Sequence, residues 1–311
     1  MSPALHVEGL SVSYGDHKAL KPLSFEVLSK ELIGIIGPNG AGKTSLIKAL
    51  CGHIKHNGRV KIDDTLVGKR HNRQKLLGLV PQDIGLYAHM SGRENLQAFA
   101  KIMGLPAKKR KTAITQALEA VDMADKSKVL VRDLSGGMKR RINVAAAIMH
   151  DPKLIIFDEP TAGVDIPARD TVHRLARELA EKGMAVLLVT HELEQAEALC
   201  DKVLILSNGE KLAFDHPANI LSASFAGMRE VMVRYATPPT QDSLNSMKPF
   251  EFVQGELPTI WTAMTQASEV SFVSAFMTSF RNGDQLVREI SVRRPGLTSL
   301  MHRIEKTGAL L

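Results

Sequence analysis

The run Leu32-Ile-Gly-Ile-Ile36, followed at once by Gly37-Pro38-Asn39-Gly40-Ala41-Gly42-Lys43-Thr44-Ser45, constrains this chain more than any other stretch. A wholly apolar segment of strand length leads into a glycine-rich turn, and Thr44 to Leu50 then reads as a helix. Strands that are apolar on both faces belong to a parallel sheet covered by helices, joined by right-handed crossovers. The loop has the full phosphate-binding pattern in the setting its mechanism needs, after a strand and before a helix. Glycines let successive backbone N–H groups converge on an anion, and the helix N-terminus adds the positive end of its dipole. Lys43 is placed to reach the outer phosphates of a nucleotide, and the Thr44 hydroxyl to ligate Mg2+.

A second apolar strand, Leu154-Ile-Ile-Phe157, ends in Asp158-Glu159, and a third spans Ala185 to Thr190. Parallel strands present their carboxyl ends to the ligand crevice, so both acids are expected to face the nucleotide. Asp158 is placed to hold Mg2+ through water, and Glu159 to orient the attacking water and take its proton. Leu134-Ser135-Gly136-Gly137-Met138 opens another helix with a hydroxyl and bare N–H groups, a second anion nest. One nucleotide cannot use two such nests from the same face of one chain. The second is therefore expected to serve ATP bound to a partner copy.

Around these motifs, Leu5 to Leu28 alternates like a small antiparallel sheet, and Arg93 to Leu130 and the segment after Gly137 read as mostly helical. Ala168 to Glu181 reads as a helix between the second and third apolar strands. The texture changes after Ser224. Strands are expected at Glu230–Tyr235, Phe250–Val253, Ile260–Met264 and Val287–Val292, with a break at Thr237–Thr240. A helical stripe follows through Val270, Val273, Phe276, Met277 and Phe280, and a short helix after Pro295. The expected class is α/β: a phosphate-loop NTPase core over residues 1–225, with an antiparallel β subdomain and a helical subdomain at about 90–150, plus a small C-terminal α+β domain over 229–311.

With 311 residues, 44% hydrophobic and 23% charged, the chain has material for a large core and does not read as disordered. The net charge of +7 suits a polyanionic ligand or an anionic surface but selects neither. Lys108-Lys-Arg-Lys111 lacks the interleaved aromatics that stack bases, so it reads as the solvated start of a helix and no nucleic-acid partner is expected. Cys51 and Cys200 have no metal-like spacing and read as reduced thiols. No signal-peptide pattern opens the chain, and no apolar run approaches the roughly 20 residues that span a bilayer.

The order of phosphate loop, Gln82, Leu134–Met138, Asp158-Glu159, Asp165 and His191 resembles the nucleotide-binding domain of ABC transporters, over roughly Leu5 to Phe225. Val80-Pro-Gln82-Asp-Ile-Gly-Leu-Tyr87 and the Met138 signature with basic residues after it are similar to the ATPases of type-2 exporters. The resemblance implies that Tyr14 stacks on adenine and that Gln82 touches Mg2+ and the attacking water. It also implies that Asp165 lies in a loop crossing the dimer interface and that His191 contacts the γ-phosphate. ATP and Mg2+ are the implied cofactors. The implied partners are a second copy of the chain or a paralogous ATPase, and a separate membrane-embedded permease, with the chain peripheral on the cytoplasmic face. A soluble ABC ATPase without a transport role is the alternative. Met138 for the commoner glutamine, Lys30 for glycine and Val164 for leucine depart from the family pattern without removing a catalytic group.

Overall fold

A computed structural model of the chain describes residues 3–66, 75–161, 166–255, 257–266, 269–279 and 286–310. The chain divides into two compact units, Met1–Pro217 with Arg303–Leu310, and Ala218–His302.

The first unit holds two sheets. Strands β1 (Leu5–Tyr14), β2 (His17–Val27), β4 (Asn57–Ile62) and β5 (Thr65–Leu66) form an antiparallel sheet in the order β2-β1-β4-β5. The second sheet has the order β10-β9-β3-β8-β7-β6. It comprises β3 (Leu32–Ile36), β6 (Leu77–Val80), β7 (Leu154–Asp158), β8 (Ala185–Val189), β9 (Lys202–Ser207) and β10 (Glu210–Asp215). All neighbours in it are parallel except the edge pair β9–β10. Every residue of β3 and β8 is buried, as expected of strands covered on both faces. One continuous core joins the sheets: Leu5, Leu10, Leu20 and Phe25 of the first pack with Ile33, Ile35, Leu187 and Leu204 of the second.

Helix α1 (Lys43–Leu50) follows β3. The segment after β6 is helical: α2 (Gly92–Ile102), α3 (Ala107–Ala120) and α4 (Gly136–Ile148). Ser91 opens α2 with a capping box, its hydroxyl accepting from the Glu94 N–H while the Glu94 carboxylate takes the Ser91 N–H. Helix α5 (Ile166–Glu181) links β7 to β8, and α6 (Leu193–Leu199) links β8 to β9. These strand–helix–strand steps are the crossovers that parallel pairing requires.

In the second unit, β11 (Arg229–Tyr235), β12 (Val253–Gln254), β13 (Ile260–Thr265) and β14 (Val287–Arg293) form an antiparallel sheet in the order β12-β13-β11-β14. Val231, Val233 and Tyr235 alternate into a core completed by Phe272 and Phe276 of the helix α9 (Glu269–Ser279). Helix α7 (Pro217–Phe225) precedes the sheet and α10 (Leu297–Thr307) follows it. The expected strand at Phe250–Val253 is not formed. A 3-10 turn occupies Lys248–Phe250, with Pro249 at its start, and Glu251 is left-handed at φ 56°, so pairing begins only at Val253. Phe250 and Phe252 pack their rings on Phe272 and Phe276, and a continuous strand would put them on a shared face only by giving up that turn. A further helix, α8 (Gln241–Met247), is capped by the Thr240 hydroxyl, which accepts from the Ser243 N–H. Phe280 lies outside the described residues.

Candidate functional site: the carboxyl edge of the parallel sheet

The register fixes the site. Ile35 of β3 is level with Val189 of β8, Asp158 of β7 is level with Val189, and Val80 of β6 is level with Phe157. Four parallel strands therefore end on neighbouring rungs, and the chain leaves them as Gly37, His191, Glu159 and Gln82. Residues far apart in sequence are brought to one edge of the sheet for this reason.

The phosphate loop depends on glycine at two places. At Gly37, φ is 155° and a Cβ would lie 2.2 Å from the Leu206 carbonyl oxygen. At Gly42, φ is 102° and a Cβ would lie 2.6 Å from Leu20 Cδ2 and 2.7 Å from the Ala19 carbonyl oxygen. Only a residue with no side chain fits either backbone. Among the described residues, no acceptor lies on the backbone N–H groups of Gly40, Gly42, Lys43, Thr44 or Ser45, while Ala41 donates to the Pro38 carbonyl. Asn39 and Gly40 form the tip of the turn that this bond closes on Pro38. Lys43 is buried beneath it, its ammonium donating to the Gly37 and Pro38 carbonyls at 2.7 and 3.0 Å. A ring of unpaired N–H donors around a buried ammonium is a receptor for a polyanion.

Opposite stands a pair of carboxylates. Burial pushes Asp158 above the ordinary aspartate range; the neighbouring Glu159 charge adds to this, and Lys48 and Lys43 oppose it. Burial likewise lowers Lys43, while Glu159 and Asp158 draw it back. Glu159 adopts the left-handed conformation at φ 46°, and its N–H is held by the Val189 carbonyl at 3.0 Å. Such a conformation in a residue with a Cβ costs about 1–3 kcal/mol and needs the surrounding structure to hold it. Its Oε1 lies 2.7 Å from Nε2 of His191, joining the end of β7 to the end of β8.

The exposed Thr44 hydroxyl, the Asp158 carboxylate and the Gln82 amide are hard oxygen donors suited to Mg2+. No cluster of three His, Cys, Asp or Glu side chains able to cage a metal occurs among the described residues. Tyr14 ends β1 and is 48% exposed.

Ser135 caps α4, its hydroxyl accepting from the Met138 N–H at 3.3 Å, and is exposed beside Gly136. A Cβ on Gly137 would lie 2.8 Å from Cβ of Ala168. No hydrogen bond or ion pair among the described residues joins Ser135 to Lys43, Asp158 or Glu159. Asp165 lies outside the described residues.

Three supports were not read from the sequence. Asn95, wholly buried on α2, accepts from the Tyr87 N–H and donates to the Tyr87, Met90 and Ser91 carbonyls. Glu192, next to His191, stands 3.0 Å from Arg169 and 3.3 Å from His173 of α5. Arg140, wholly buried on α4, donates to the Pro81 and Gln82 carbonyls.

A family model described as ABC transporter matches residues 20–162, from β2 through the Asp158-Glu159 pair. The linearmycin resistance ATP-binding protein of Bacillus subtilis strain 168 is 36% identical over 220 residues, 70% of this chain and 71% of that protein. The chain belongs to the ABC transporter family. It is an ATP-binding subunit of the exporter-like kind. The Nod factor export ATP-binding protein I of Ralstonia nicotianae is 37% identical over 223 residues, covering 71% of this chain and 70% of that protein. Among solved structures, an ABC transporter ATP-binding subunit aligns with TM-score 0.63 and 28% identity over 72% of this chain and 93% of that one. Another, from Clostridium perfringens and part of the cbiONQ transporter complex, aligns with TM-score 0.65 and 26% identity, covering 71% of this chain and 92% of that one.

Proposed function

We propose that this ABC subunit hydrolyses Mg2+-ATP in sites shared between two copies, and that closure of the pair drives export through a separate membrane permease. The observation that carries hydrolysis is the level register that brings Glu159 and His191 to hydrogen-bonding distance at the strand ends beside the phosphate loop. Bound Mg2+-ATP supplies the transferable phosphoryl group and a cation that neutralises its charge. Residues Gly37 to Ser45 hold the phosphates, with Lys43 against the outer two; Thr44, Asp158 and Gln82 hold the cation; Tyr14 stacks on the base. Glu159 takes a proton from the attacking water while His191 fixes the carboxylate's orientation and reaches toward the γ-phosphate. Catalysis is then positioning and charge stabilisation by groups already in place.

Ser135, Gly136 and Gly137 serve the nucleotide of the second copy, and Asp165 lies at the interface between copies. The partner is a second copy of this chain or a paralogous ATPase. Residues 1–225 form the nucleotide-binding domain, and 229–311 a small accessory domain with a regulatory or dimer-supporting role. Export rests on the names of the relatives, one an export protein and one a resistance protein. The permease partner is favoured by a structural neighbour that is part of a transporter complex. No helix among the described residues is long and apolar enough to cross a membrane. The reading gives the spans to the permease and places this chain beside it on the cytoplasmic face.

The test is phosphate release by the purified chain with Mg2+-ATP, beside Lys43→Ala, and recovery of the native chain from membranes with whatever binds it. Loss of ATP binding in Lys43→Ala and co-purification of a polytopic protein are expected. Unchanged ATP affinity in Lys43→Ala counts against the phosphate-loop assignment, and a chain that never associates with membrane protein counts against the transport role.

A further inference from the structure

We propose that Arg140 is a positioning residue that makes the Gln82 loop and the Ser135 helix one body, so that a chain's own site and the one it completes on its partner move together. The residue is 1% exposed, and two of its guanidinium nitrogens donate to consecutive carbonyls, Pro81 and Gln82, both at 2.6 Å. A rigid planar fork fixes the spacing and orientation of the two acceptors it holds, which the rotatable donors of an ammonium on a flexible stem do not. The grip lies in the second turn of the helix that Ser135 caps.

Two further contacts leave that helix and loop little freedom to slide past each other. Strand β6, which feeds the loop, lies so close to α4 that a Cβ on Gly78 would sit 2.3 Å from the Ala147 carbonyl oxygen. At the far end of the loop, Asn95 holds Tyr87 and Met90, and a Cβ on Gly92 would sit 2.8 Å from Cδ1 of Ile142 on α4. The loop from Pro81 to Met90 is thus pinned at both ends to the body that carries Ser135. The Nε of Arg140 has no hydrogen-bond partner, and burial lowers its pKa while Asp83 opposes this. A buried charge with an unpaired donor is costly, and here it is retained where it grips a functional loop.

The inference rests on the roles given above to Gln82 and Ser135. In that reading Gln82 attends the chain's own nucleotide and Ser135 the partner's. A displacement of Gln82 toward its nucleotide then carries the Ser135 cap with it. Coupling needs such a two-position element biased by both sites.

Arg140→Lys keeps the charge but loses the rigid fork that sets the spacing of the two carbonyls; Arg140→Met holds neither. Amide hydrogen exchange in the nucleotide-free protein should rise in residues 82–90 of Arg140→Lys by about tenfold, because the opening of a loop is governed by its local hydrogen bonds. With Mg2+-ATP, kcat should fall by about tenfold or more while the Kd for ATP stays within about threefold, since the phosphate loop is untouched. In a Gln82→Ala background, Arg140→Lys should cost little further, the non-additivity of residues that act as a unit. If Arg140→Met does not fold, Arg140→Lys carries the test. Unchanged loop exchange, wild-type turnover in Arg140→Lys, or losses that simply add to those of Gln82→Ala overturn the proposal. A wild-type chain that does not hydrolyse ATP sinks the functional reading instead, and the exchange measurement still decides whether Arg140 holds the loop.

Discussion

Replacing Glu159 by glutamine changes its chemistry and almost nothing else. Glutamine has the same length, meets no new obstacle at φ 46°, and keeps the backbone bond to the Val189 carbonyl. Its amide oxygen still accepts from His191, so the 2.7 Å contact between strand ends survives. What disappears is the basic carboxylate. A positioned general base contributes about 10²–10⁴-fold, so phosphate release should slow by that factor, about 3–5 kcal/mol in barrier at 1.36 kcal/mol per decade. Stability should move by less than about 0.5 kcal/mol, as for a partly exposed substitution outside a packed core. The like charge that helps raise Asp158 is also removed, so the Asp158 carboxyl should move back toward its ordinary range and cation binding should not weaken. Single-turnover phosphate release and equilibrium ATP binding on the same preparation separate the outcomes. The expected variant binds ATP normally, hydrolyses it slowly and accumulates as a closed dimer. Turnover within about threefold of wild type removes Glu159 from the proton-transfer role. A slowdown matched by lost ATP affinity refutes the claim that only basicity changed.

Burial raises the Cys200 thiol from 9.0 to about 12, so at pH 8 it should resist alkylation until the chain unfolds. Its folded-state pKa is raised, so its contribution to stability is complete below the unfolded value and is lost as pH rises through the folded one; maleimide labelling with and without denaturant reads the difference. In the second unit, Phe276 is wholly buried among Phe250, Phe252 and Phe272. Phe276→Ala should cost that unit about 3–5 kcal/mol while leaving ATP affinity unchanged, measured by calorimetry and nucleotide titration; a parallel loss of ATP binding would tie the accessory domain to the site.

The edge that carries the candidate site was legible because its residues sit in short, contiguous motifs whose strands declare themselves by apolar runs. Gly37 to Ser45, Asp158-Glu159 and His191 each follow such a run directly, and parallel register does the rest. The supports were not legible, for physical reasons that differ. Arg140 stands between Lys139 and Arg141 in what looks like a solvated basic turn, and only tertiary packing shows that one of the three is wholly buried. Asn95 falls on the apolar face of α2, but its partners are main-chain carbonyls, which carry no sequence signal. In the second unit, Phe250 to Val253 has β-like composition, yet Pro249 and the left-handed Glu251 start a turn there. Four aromatic rings then satisfy the core without a ladder.

The division of labour between copies can be tested by arrangement alone. Ser135 is exposed at the cap of α4, and the proposed function gives it to the opposite nucleotide. If so, each site needs Lys43 from one copy and Ser135 from the other. Pair a Lys43→Ala chain with a Ser135→Ala chain. One site then lacks both groups, while the other retains Lys43 of the second chain and Ser135 of the first. Now place both substitutions in one chain and pair it with wild type: each site lacks one group, and both are impaired. The two dimers have the same composition, so effects on folding largely cancel in the comparison. Sites contained within one chain predict the opposite ranking, because the wild-type copy would then keep a whole site. Differently tagged chains allow each heterodimer to be purified and its phosphate release measured, with ATP-driven dimer closure as the readout where turnover demands two working sites. Higher activity in the pairing that carries both substitutions on one chain would rule out the shared site. Higher activity in the split pairing fixes Ser135 as a ligand of the partner's ATP, and with it the obligation of this subunit to work as a pair.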